Sequence, residues 1–120
     1  MKTKRKNNLK ELAAWQNKLS LFLNENALLK YMLSEIVDEN QEKSFLPVAE
    51  YFQNELLLKD DKLKLLSKQF KELKVADIRH LDEIYELKIK NLQKEVVLFQ
   101  KEYEEFSRDF KSKIYKSKAS

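Results

Sequence analysis

Apolar residues recur along the chain at alternating steps of three and four, a spacing that lines one side of a helix and does not fit a strand. The first stripe is Leu12, Trp15, Leu19, Phe22, Asn26, Leu29, Leu33 and Ile36, a heptad pattern with one polar member. The second is Ala49, Phe52, Leu56, Lys59, Leu63, Leu66, Phe70 and Leu73, again with one polar member. The third is Ile78, Leu81, Tyr85, Ile89, Leu92, Val96, Phe99, Tyr103, Phe106, Phe110 and Ile114. A polar run at 38–43 separates the first two stripes, and a step of five between Leu73 and Ile78 separates the last two. Asn8, Ser44 and Asp77 are candidate caps, and Pro47 is tolerated in a first turn. These signals predict helices over about 8–40, 45–73 and 78–116 in a single domain, 1–120, with basic frayed ends at 1–7 and 117–120.

Folding the chain back near residue 42 sets every position of the first stripe opposite one of the second. Leu12 faces Leu73 at one end and Ile36 faces Ala49 at the other. Two heptad patterns match by chance in about one register in seven. Here the two polar interruptions also coincide, with Asn26 opposite Lys59. The expected role of that layer is to set register, since a buried polar pair penalises slipped alignments. The competing role is a polar opening where the bundle rearranges around a partner.

A tight turn at Lys74-Val75-Ala76 would fold the third helix back on the second. Leu73 then meets Ile78, Leu66 meets Tyr85, Phe52 meets Phe99 and Phe45 meets Phe106. This alignment is imperfect, because Leu63 and Leu56 face Lys88 and Glu95. It also leaves Phe110 and Ile114 beyond the reach of the second helix. The strip Phe106, Phe110 and Ile114, rimmed by Arg108, Lys111 and Lys113, is therefore the predicted surface for self-association or a partner helix. The fold expected is all-α, an elongated antiparallel three-helix bundle with coiled-coil-like heptad packing. The alternative fuses helices two and three into one rod of roughly 100 Å, in a dimer.

Composition narrows the function more than the fold. The chain has no glycine, one proline and 37% charged residues, which suits long helices and excludes a glycine-rich phosphate loop. It has no cysteine, so thiolate metal sites and thiol nucleophiles are excluded. The carboxylate pairs Asp38-Glu39, Asp60-Asp61, Asp82-Glu83 and Glu104-Glu105 lack the Glu-x-x-His motifs of di-iron bundles. No enzyme, metal or cofactor is expected. Apolar runs such as Val96-Val97-Leu98-Phe99 are too short to cross a bilayer, and no secretory leader is legible, so the expected location is cytoplasmic.

The net charge of +4 is unevenly spread. From Glu25 to Asp61 the acids are opposed only by Lys30, Lys43 and Lys59, whereas both ends are rich in Lys and Arg. Basic ends raise nucleic-acid binding as an alternative function, although acids interleave with the bases elsewhere. His80, the only histidine, raises a phosphorelay role. Leu81, Asp82, Glu83 and Ile84 follow it, and two acids there would repel a phosphoryl group. The leading expectation is a non-enzymatic protein–protein interaction or scaffolding module that associates with itself.

Overall fold

The computed structural model describes the backbone of residues 2–39, 43–76 and 83–119, and the side chains of 10–39, 43–74 and 83–114. The chain forms three α-helices: α1 (Lys2–Glu39), α2 (Leu46–Ala76) and α3 (Glu83–Ala119). They lie antiparallel in sequence order in a bundle measuring 61 × 18 × 17 Å. The long dimension is that of α1 itself, whose 38 residues span roughly 57 Å. The accessible surface is 8582 Å², against about 6,800 Å² for a compact monomer of the same mass. A thin bundle therefore leaves more surface in water than a globular domain would. The described backbone takes no positive φ, as a chain without glycine requires.

The expected helices are present, with shifted bounds. α1 starts at Lys2, so Asn8 lies inside it, and α3 runs to Ala119. Lysine and arginine are good helix formers, and the backbone of the stretches at 2–7 and 117–119 continues the helices. α2 starts at Leu46, its first turn closed by the Ala49 N–H donating to the Phe45 carbonyl at 2.9 Å. Ser44 thus stands one residue ahead of the cap position, and Pro47 sits in the first turn. α2 also continues through Lys74-Val75-Ala76, where the tight turn was expected. Those residues contain nothing that breaks a helix. The expected Asp77 cap, together with His80, Ile78 and Leu81, lies outside the described residues.

The single-rod alternative is overturned. The Tyr85 hydroxyl donates to the Leu73 carbonyl at 2.8 Å, and the Phe52 ring lies 6.0 Å from Phe106, so α3 runs back along α2. Its register differs from the expected one by a full heptad: Leu73 meets Tyr85 where Ile78 was expected, and Phe52 meets Phe106 where Phe99 was expected. α2 reaches Ala76 and α3 is described from Glu83, in keeping with a pairing centred further toward the C-terminus than the expected turn. A shift of seven keeps the same stripe facing inward, so hydrophobic pattern alone does not separate the two alignments.

The core is one continuous seam. Leu12, Leu19, Leu29, Leu63 and Leu66 are fully buried between α1 and α2. α3 contributes mostly larger side chains, among them Tyr85, Phe99, Tyr103, Phe106 and Phe110. The α1 and α2 backbones come close to each other at more points than α3 does to either. Interaxial distance follows side-chain size, and aromatic rings hold α3 off.

Candidate interaction surfaces and the buried polar layer

Asn26 is the only fully buried polar residue among those described. Its Nδ2 donates to the Leu56 carbonyl at 2.9 Å and to Asp60 Oδ1 at 2.8 Å. The Tyr103 hydroxyl donates to Asn26 Oδ1 at 3.2 Å. Three helices are thus joined at one level by hydrogen bonds that satisfy both ends of a buried amide. Asn26 bridges the turn from Leu56 to Asp60, the turn that holds Lys59, its counterpart in the heptad alignment of α1 with α2.

Lys59 plays a different part from the one expected. Its amine bonds Glu55 Oε2 at 3.1 Å and lies 4.3 Å above the Phe106 ring, so its charge is directed along α2 and over α3, away from Asn26. The residues that complete the layer are Asp60 and Tyr103. A tyrosine on an apolar stripe carries a hydroxyl that needs a partner when buried, and that is the signal that points to Tyr103. The Lys30 amine bonds the second carboxylate oxygen of Asp60. Burial by itself would raise the Asp60 pKa. The hydrogen bonds from Lys30 and Asn26, with the charges of Lys30 and Lys64, outweigh it and hold the carboxyl below its ordinary 3.8. Tyr103 is pushed well above its ordinary value by burial, aided by the negative charges of Glu25 and Asp60, and so remains a protonated donor.

The expected overhanging strip is absent. Phe110 is 0% exposed and Ile114 1%, and the Phe110 ring packs edge-on against Phe52 at 5.0 Å. The one-heptad shift of α3 draws both residues down beside the start of α2. The bases around them are also engaged: Lys111 pairs with Glu25 at 3.3 Å, and Lys113 with Asp109 at 3.4 Å while lying 5.9 Å from the Phe52 ring. Arg108 lies on the open side of α3, lining a shallow groove with Leu21, Phe22 and Glu25 of α1.

Apolar surface is found instead on the outer faces. Tyr51, Leu58 and Leu65 of α2 are 54%, 61% and 50% exposed. They are seven residues apart, so they form a second stripe alongside the buried one. Leu21 and Leu28 repeat that spacing on α1, and Ile84, Leu87, Val97 and Leu98 are exposed on α3. Their seven-residue spacing was legible in the sequence, but a search for one apolar face per helix passes over a second. Between α1 and α2, near the end where α1 stops and α2 begins, lies an apolar cavity of about 430 Å³.

Among the described residues, no three His, Cys, Asp or Glu side chains converge in a way that could hold a metal ion. No helix there is long and apolar enough to cross a membrane. Comparison of the chain with protein-family models, with curated proteins and with solved structures finds no match.

Proposed function

We propose that the chain is a non-enzymatic protein–protein interaction or scaffolding module that associates with itself through the outer face of α2. The observation that carries this reading is the exposed heptad stripe Tyr51, Leu58 and Leu65. Exposed apolar residues are ordinary when scattered singly. A seven-residue repeat is different, because it keeps one line of side chains in contact with a neighbouring helix over several turns. The large surface of a thin bundle supports the same reading, since such a fold presents long open faces.

The test is absolute mass in solution by light scattering, over a range of protein concentration and at low and high salt. The expected mass rises above 14.4 kDa with concentration. Apolar association should persist at high salt, because screening weakens charge pairs and leaves apolar contacts intact. Leu58→Lys with Leu65→Lys should return the mass to the monomer value while changing stability by no more than about 0.5 kcal/mol. A mass of 14.4 kDa at every concentration, unaffected by these substitutions, rejects self-association through this face.

A further inference from the structure

We infer that the cavity between α1 and α2 is a docking groove for a basic amphipathic helix of another protein. This rests on the reading of the chain as a protein-binding module but uses a different face from the α2 stripe. Leu33, Ala49 and Leu56 form its floor, and Val37, Leu46 and Leu57 stand along its sides. The floor is buried, while Leu46 and Leu57 remain 46% and 51% exposed, so large apolar side chains border an opening that the described residues do not fill. The cause is local. Alanine at 49, on the inward stripe, and Ser34 on the neighbouring α1 surface are too small to close the space between the helices. A row of apolar side chains at helical spacing fits such a groove.

Charge selects the partner. Asp38 and Glu50 line the groove from opposite helices. Glu35 and Glu39 are exposed at the same end of the bundle, and Lys43 is the exposed base near them. Lys30, also in the lining, is committed to Asp60. The rim therefore carries excess negative charge, and a helix with lysines or arginines beside its apolar row gains attraction where an acidic one meets repulsion. The basic ends of a second copy are poor occupants. Its basic stretch at 2–10 has Leu9 as its one large apolar residue, and Ile114, within the basic stretch 111–118, is buried in its own core.

The probe is a fluorescein-labelled synthetic helix of about five turns, with leucines at i, i+3, i+4 and i+7 and lysines flanking them. A twin carries glutamate at every lysine. Anisotropy titration of the full chain should show binding of the basic peptide that weakens as salt rises. The acidic twin should bind at least about tenfold more weakly. Leu57→Glu should abolish binding, and Asp38→Lys with Glu50→Lys should weaken it by about tenfold or more. All of these positions are exposed, and an unchanged helical circular dichroism spectrum confirms that each variant folds. The inference is overturned by no binding, by equal binding of both peptides, or by binding that survives Leu57→Glu. It is also overturned if Leu57→Glu abolishes self-association, since the groove then holds another copy. Failure here leaves the Leu58 and Leu65 test untouched, so loss of the groove and loss of the self-association reading are separate results.

Discussion

The two interfaces of the bundle are built differently. α1 and α2 meet through leucines, with backbones close together and an alignment that follows from the heptads. α3 meets the pair through aromatic rings, at a greater distance and one heptad away from the alignment that the step between stripes suggested. The rings contact each other across all three helices: Phe22 lies 5.7 Å from Phe99 and 5.3 Å from Tyr103, and Phe52 touches both Phe106 and Phe110. Aliphatic packing alone tolerates several registers a heptad apart. What separates them is the polar layer. One heptad before Tyr103 is Val96, so in the expected alignment an apolar side chain would have stood beside Asn26, leaving the buried amide oxygen without a donor. In the observed alignment Tyr103 supplies one. An unsatisfied buried polar atom costs about 1–3 kcal/mol, enough to decide between alignments whose apolar contacts are nearly equal. The lesson is that a single hydroxyl can set the register of a helix whose remaining core residues would fit more than one.

The comparison is tested most severely at Phe110. An overhanging ring could be removed with little effect, whereas a ring buried against Phe52 cannot. Phe110→Ala should destabilise the chain by about 3–5 kcal/mol, read as a shift of the denaturant midpoint. A change below about 0.5 kcal/mol, the usual range for an exposed site, would return the end of α3 to solvent and undo the observed register.

The polar layer gives a smaller and more specific effect. Tyr103→Phe keeps the ring and removes the hydroxyl, stranding Asn26 Oδ1, and should lower stability by about 1–3 kcal/mol. Combining it with Asn26→Leu should lose less than the two single changes added together, with a coupling of about 0.5–3 kcal/mol. Strict additivity would mean that α3 is not tied to α1 through this bond.

The smallest effect concerns acid. Asp60 is held below its unfolded value, so the folded state binds fewer protons than the unfolded one as that value is approached. Its contribution is complete above the unfolded pKa and is lost as pH falls through the lowered folded value, beginning near about pH 5. Asp60→Asn should remove this part of the acid limb, giving a flatter dependence of stability on pH in that range. A variant as acid-sensitive as the parent would show that other carboxylates carry the limb.

Particular residues show how far the sequence could be read. Leu12 through Ile36 and Ala49 through Leu73 announce two helices and their mutual alignment, because a buried stripe must be apolar and a helix repeats every 3.6 residues. Asn26 marks the level of the polar layer on its own helix. Its partners were less legible. Lys59 occupies the stripe position, but its long side chain carries the amine to Glu55 and over Phe106, while Asp60, one residue on, reaches Asn26. The outer stripe of Tyr51, Leu58 and Leu65 has a periodic signal of its own, hidden beside the stronger inner one. The groove had no comparable signal, because a cavity is set by the distance between helices and not by the sequence of either.

The sequence by itself determined that the chain is helical, that α2 runs back along α1, and which side of each helix is buried. These are consequences of periodicity and of which side chains water rejects, and both can be read along one dimension. The tertiary structure alone decided where α3 stops its slide along α2, whether Phe110 and Ile114 are covered, and which hydroxyl completes the buried amide. A heptad repeat looks the same after a shift of seven, so only the joint packing of three helices, with the buried amide of Asn26 to be satisfied, distinguishes one register from the next.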